Sequence, residues 1–138
     1  MSKATEVIEA EHREIERLFD RYPKAPNMSA AQHLCRVLER HTEMEEAILY
    51  PELQEVDGDL YADAVEEHAE AKRLVEQIRA SSIPEDIAAL IAQLQQEVSH
   101  HVADEEQEDL PRMESVLGEA RMDELGAEMQ QWKDAQTD

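Results

Sequence analysis

The stretch His41-Thr42-Glu43-Met44-Glu45, closing on Tyr50-Pro51, has a near copy later in the chain: His101-Val102-Ala103-Asp104-Glu105, closing on Leu110-Pro111. Both read His, three residues, Glu, five residues, Pro. On a helix, a His and a Glu four apart share one face, about 6 Å apart along the axis. A neutral imidazole and a carboxylate aimed at one inward point are ligand types that suit a transition metal. Two such pairs make room for two metals.

The surrounding composition predicts helices throughout. The chain has 138 residues, with only 3 glycines and 5 prolines, and 4% aromatic residues. Ala, Glu, Leu, Gln, Met and Arg, all good helix formers, dominate. The net charge is −21, with 13 Lys and Arg against 34 acids. That balance excludes nucleic acid, whose phosphates need a basic patch, and disfavours an anionic membrane surface. Most of the acids are expected to be solvated helix faces. The single cysteine, Cys35, cannot close an internal disulfide and is expected to be a small core or boundary residue. No stretch approaches the roughly 18 apolar residues of a membrane span. The N-terminus lacks the apolar segment of a signal peptide, so a cytoplasmic location is expected.

Periodicity places five helices. The first covers 2–22, capped by Ser2 or Thr5, with Ile8, His12, Ile15 and Phe19 on one face and Tyr22-Pro23 as its end. The second, about 30–54, is expected to be capped by Ser29, with Leu34, Val37, Leu38, His41, Glu45, Ile48 and Leu49 as its stripe. Pro51 should bend or end it. A third, about 59–81, presents Tyr61, Ala64, Val65, His68, Val75 and Ile78. Ser81 or Ser82 can cap a fourth from about 84, which carries Ile87, Ile91, Leu94, Val98, His101 and Glu105. A shorter fifth, about 120–135, has Met122, Leu125, Met129 and Trp132 on its inner edge. The last three or four residues are expected to fray.

The first and third helices each carry a lone histidine in a similar setting, Glu11-His12 and Glu67-His68, and each is followed by a His-x3-Glu helix. Two such helix pairs predict an all-α fold in a single domain, 1–138. It is an up-down-up-down four-helix bundle over about 2–117 with a short extra C-terminal helix. Glu45 and Glu105 then fall on core faces, where an unpaired carboxylate is costly. One inward Lys72 cannot neutralise both. Metal answers the arrangement, with His12, His41, Glu45, His68, His101 and Glu105 as candidate ligands. His100 has Gln93, Gln96 and Asp104 as helical neighbours and His33 has Ser29, Arg36 and Arg40, so both are expected at the surface. Imidazole and carboxylate without thiolate suit iron, manganese or zinc. Two divalent ions against two carboxylates leave a charge of about +2, as do two ferric ions joined by an oxide, which favours iron.

The motifs EHREIERLF around His12, HTEMEEAILYP from His41, EEHAEAKRLV around His68 and HHVADEEQEDLP around His101 resemble the hemerythrin-like, or HHE cation-binding, family. The resemblance runs from residue 5 to about 113 and requires four motifs in order. It implies a non-haem site of two iron ions. In it Glu45 and Glu105 would bridge, His12 and His41 would serve one iron, and His68 and His101 the other. Oxygen carriers of the family have a second His four residues after the third-helix His. Here that position is Lys72. Tyr50 or Tyr61 could substitute, although both read first as core aromatics. The implied role is binding or reaction of O2, H2O2 or NO at an open iron position. The alternatives are a catalase-like or oxidase enzyme acting in oxidative or nitrosative stress, or an iron-responsive module without turnover. No catalytic residue is assigned, with Lys72, Tyr50 and Glu43 the candidates for acid-base work. A protein partner is possible but not indicated.

Overall fold

The computed structural model describes residues 1–136. The fraying expected at residues 137 and 138 lies outside them. Among the described residues there is no strand. The helices are α1 (Lys3–Arg21), α2 (Met28–Met44), α3 (Tyr50–Val56), α4 (Gly58–Ala80), α5 (Pro84–Asp104), α6 (Leu110–Leu117) and α7 (Glu119–Ala135). Five-residue π turns, Glu45–Leu49 and Glu105–Asp109, join α2 to α3 and α5 to α6. The described residues therefore form five helical rods: α1, α2–α3, α4, α5–α6 and α7.

Caps explain where the rods begin. Ser2 accepts the Thr5 N–H, as expected. The second helix starts earlier than its predicted Ser29 cap: Asn27 accepts the Ala30 N–H at 2.8 Å, which puts Ser29 inside the first turn. Nor does a serine cap α5. Ile83 holds that place, and the Ser81 hydroxyl accepts the Ile83 N–H instead. Gly118, at φ +85°, separates α6 from α7 in a conformation that disfavours any other residue. Pro51 and Pro111 each sit just inside a resumed α-helix, where a missing N–H is tolerated.

The core has two apolar halves with a polar waist between them. One half gathers Ile15, Phe19, Leu34, Leu38, Val75, Ile78 and Leu94 among others. The other gathers Ile8, Met44, Leu53, Leu110, Met122 and Met129 with their neighbours. Each of four rods crosses from one half to the other at a histidine: Ile8–His12–Ile15, Leu38–His41–Met44, Ala64–His68–Ala71 and Val98–His101–Leu110. The crossing direction alternates from rod to rod. Helix α7 covers the second half. Cys35 is fully buried, and His33 is exposed. Val65, expected in the core, is exposed. The buried face of α4 is Ala64, His68, Ala71, Leu74, Val75 and Ile78, and Val65 lies one 100° step away from Ala64.

Candidate metal centre

The six predicted residues converge at the waist. Glu45 and Glu105 are fully buried, and His12, His41, His68 and His101 are buried too. Each carboxylate spans two groups of imidazoles. Glu45 Oε2 lies 3.2 Å from His41 Nε2 and 4.0 Å from His12 Nε2, while its Oε1 lies 3.1 Å from His68 Nε2 and 3.8 Å from His101 Nε2. Glu105 does the same, with Oε1 3.0 Å from His12 Nε2 and Oε2 3.3 Å from His101 Nε2. Two donor clusters result: His12, His41, Glu45 and Glu105, and Glu45, His68 and His101.

The π turns bend the chain just past each carboxylate so that a second residue swings toward the waist. In each, the fifth residue on bonds back to the glutamate carbonyl: Tyr50 N–H to Glu45, and Leu110 N–H to Glu105. On an uninterrupted α-helix, residues five apart point about 140° apart. The wider turn brings them back toward one face, a device common at functional sites. On the first copy this carries the Tyr50 hydroxyl to 2.7 Å from His68 Nε2 and 3.3 Å from His101 Nε2.

Every imidazole is oriented from outside. His12 Nδ1 lies 2.6 Å from Glu106, His41 Nδ1 2.6 Å from Glu11, His68 Nδ1 3.2 Å from Glu46 and His101 Nδ1 2.7 Å from Glu67. An Nδ1–H donating to a carboxylate fixes the ring and leaves Nε2 free as a ligand. All four Nε2 atoms face the waist. None of these outer carboxylates stands out in the sequence. The signal is there as adjacency: Glu11-His12 and Glu67-His68, Glu45-Glu46 and Glu105-Glu106. A Glu beside a His serves the other helix of its pair, and a Glu beside a waist Glu serves a lone His.

The inward atoms test whether a metal fits. Among the described residues, His12 Nε2, Glu45 Oε2 and both Glu105 oxygens are fully buried and make no well-aligned hydrogen bond; their polar neighbours, at 3.0–4.0 Å, are one another and the other inward imidazoles. A buried unsatisfied polar group costs about 1–3 kcal/mol, and more when charged. Leaving four at one point would be a heavy loss that cations remove. Electrostatics agree. Burial alone would lower the His41 pKa, but the charge on Glu45 and the bond to Glu11 outweigh it and push it up to about 10. His12 and His101 are likewise raised against burial, chiefly by Glu105. Glu45 is held well below the usual range, with His41 overcoming its burial. Without metal, the site gathers protons in place of cations.

Three other placements matter. Lys72, expected on the inner side, is 51% exposed and reaches Glu46 at 2.7 Å, so it takes the outward course open to a long cationic side chain. His100 is exposed, as expected, between Glu67 and Asp104 at 3.2 Å each. Asp109, which the sequence pattern does not mark, is buried, and burial followed by the charge on Glu105 pushes its pKa up to about 7.

An all-helical protein with a buried cluster of paired His and Glu is a cation-binding class. The model of the hemerythrin HHE cation binding domain family matches residues 3–112, and the chain belongs to this family. The matched segment stops short of α7. No curated protein and no solved structure matches the chain.

Proposed function

We propose that this chain is a non-haem diiron protein that binds, or reacts with, O2, H2O2 or NO. His12 and His41 would hold one iron, His68 and His101 the other, with Glu45 and Glu105 shared. In this reading α1, α2–α3, α4 and α5–α6 form an up-down-up-down four-helix bundle, and α7 completes one domain. The observation that carries the proposal is the set of buried, unsatisfied nitrogen and carboxylate atoms turned to one point. Iron at that point would supply redox and Lewis-acid chemistry that no side chain has.

The chain's own residues supply the rest. Glu11, Glu46, Glu67 and Glu106 hold the four rings in orientation. With Lys72 turned outward, the His68/His101 position has a phenol, Tyr50, where oxygen carriers have a third imidazole. In the metal-free protein burial, then the charges of Glu45 and Glu105, raise the Tyr50 pKa and hold the phenol protonated. A cavity of about 20 Å³ lies against all four histidines, walled by Ile15, Leu38, Ala71, Val98 and Val102. It has room for about one water. A diatomic or peroxide suits that size and an organic substrate does not.

Reconstitution with Fe(II) under anaerobic conditions, followed by elemental analysis, should give close to two irons per chain. The optical spectrum is then recorded on adding O2, H2O2 or NO. One zinc per chain with no second metal would sink the proposal. Asp109, buried at the end of the π turn that starts at Glu105, favours a second reading, catalase-like turnover, in which it would be an acid-base group. Oxygen evolved from peroxide would select it, whereas a reversible change with O2 would select binding.

A further inference from the structure

Each of the four outer carboxylates itself has a basic partner. Glu106 pairs with Arg13, Glu46 with Lys72 at 2.7 Å, Glu67 with His100 at 3.2 Å and Glu11 with Lys133 at 3.1 Å. Three of these partners ride on helices that carry site histidines. Arg13 follows His12 on α1, Lys72 comes one turn after His68 on α4, and His100 precedes His101 on α5. The fourth comes from the last turn of α7, past the segment matched by the family.

Helix α7 lies parallel to α1 and in register with it. The Lys3 N–H donates to Asp123 at 2.8 Å. One turn on, Gly126 sits so close that a Cβ there would stand 2.6 Å from the Ala4 nitrogen and the Lys3 carbonyl carbon. Seven residues beyond that contact on each helix, about 10 Å along the axis, Lys133 meets Glu11. Met122, Leu125 and Met129 are buried and hold the helix down. The close approach at glycine thus sets the register that delivers the ammonium.

The geometry points to Lys133 as a positioning residue of the metal centre, acting on His41 through Glu11. Glu11 uses its two oxygens separately. Oε1 takes His41 Nδ1 at 2.6 Å and Oε2 takes Lys133 Nζ at 3.1 Å. Held at both ends, the carboxylate cannot swing into the cavity of about 190 Å³ beside it, which is bounded by Val37, His41, Trp132 and Lys133. Without the ammonium, Oε2 turns to water there, and His41 loses its fixed orientation. The last helix is then part of the His12/His41 position, although it contributes no ligand. This inference rests on the metal role proposed for His41.

The test compares the parent with Lys133→Met and Lys133→Arg, each loaded anaerobically with Fe(II) and challenged with a chromogenic ferrous chelator. In Lys133→Met one of the two irons should leave about threefold to tenfold faster while the other keeps its rate, the range of a part-exposed ion pair acting through one hydrogen bond. Lys133→Arg should behave as the parent. In the metal-free proteins, the imidazole 15N shifts of His41 should move in Lys133→Met and those of His68 should stay. Unchanged release, or equal acceleration of both irons, overturns the inference and leaves the two-iron reading standing. A parent that takes up no iron ends the two-iron reading. The positioning of His41 is then judged on the 15N shifts alone, and still shifts overturn it.

Discussion

The two ends of the centre are built from the same repeat and finish differently. At one end His12 and His41 face one oxygen from each buried carboxylate. At the other, His68 and His101 face the opposite oxygens, and the Tyr50 hydroxyl stands between them. Both His-x3-Glu helices pass through a π turn, and each turn swings inward the residue that follows it, five on from the glutamate. In the first copy that residue is Tyr50, and in the second it is Leu110, which packs into the apolar half beside the site. The residue before it is Leu49 in one copy and Asp109 in the other. The repeat accounts for the His and Glu residues that the two ends share. The differences between its copies at the ends of the π turns, Leu49-Tyr50 against Asp109-Leu110, account for the asymmetry, and in the proposed function the asymmetric end is the reactive one.

The largest expected effect tests what the two ends share. Glu45→Ala and Glu105→Ala should each lose both metals, because each carboxylate spans both ends, whereas His100→Ala should keep both. Metal content by elemental analysis decides. A variant of either glutamate that keeps one tightly held metal would show that the ends are independent. Loss of metal from His100→Ala, with none from His101→Ala, would put the register of α5 wrong by one.

Next in size is removal of the metal. A ligand that binds only the folded state at a thousandfold excess over its Kd stabilises it by about 4 kcal/mol. For a chain of this length that is a Tm shift of about 10 °C or more. The sign of the pH dependence comes from the shifted groups of the metal-free protein. His41 has a folded pKa near 10, above the unfolded value. Its contribution is complete below about pH 6.5 and is lost as pH rises through the folded pKa. Glu45 is shifted the other way, so its contribution holds above about pH 4.3 and is lost as pH falls through the lowered value. Metal uptake expels the imidazole protons and so strengthens with pH. The Tm gap between loaded and metal-free protein should widen from about pH 6 to pH 9, as scanning calorimetry can check. A gap that narrows over that range would contradict the assignment of these histidines as ligands.

Tyr50→Phe separates the two ends. It removes one oxygen from the His68/His101 position and nothing from the other. Metal should stay bound at both, with affinity at the second lowered by about tenfold, the lower bound for losing a group that supports a metal. The peroxide reaction should change with it. Competition with a chelator, read as two release phases, measures the affinity. Equal weakening of both phases would mean that Tyr50 supports the waist as a whole and does not serve one position.

That Tyr50 is less legible in the sequence than the candidate ligands has a physical cause. The candidate ligands are legible because helical periodicity makes a buried Glu45 or Glu105 conspicuous: a carboxylate on an apolar stripe needs a reason. Lone histidines at matching places on four helices add to that reason. The π turns leave no such trace. On a regular helix Tyr50 points about 140° away from Glu45, so the same periodicity that finds the glutamate turns the tyrosine away. Only the paired prolines, Pro51 and Pro111, mark the place where the helix changes. The outer glutamates are hidden by abundance. In a chain with 34 acids, Glu11 or Glu106 beside a histidine reads as one more solvated charge. Val65 shows the complementary error, an apolar residue at the edge of a stripe placed inside by type alone.

Lys72 carries the smallest expected effect, and it bears on the same contrast. Its helical spacing from His68 puts it on the side of the site, where an ammonium repelled by bound cations turns out to solvent. The side chain lies half in solvent and pairs with Glu46, itself part-exposed, and Glu46 holds His68 Nδ1 at 3.2 Å, the longest of the four outer bonds. An ion pair that exposed is worth about 0–1 kcal/mol. Acting through the longest of those bonds, it should matter less to His68 than Lys133 does to His41, where the outer bond is 2.6 Å. Lys72→Met should therefore change metal release from the His68/His101 position by less than about threefold and leave the peroxide reaction near the parent rate. Lys72→His should do more. An imidazole on that turn is too short to follow the ammonium out to solvent, and rotating inward brings it toward the place Tyr50 fills. If it adds a ligand there, peroxide consumption at equal iron content should slow. A large effect of Lys72→Met would show that the ammonium acts on the site directly, and the asymmetry of the two ends would then owe as much to Lys72 as to Tyr50.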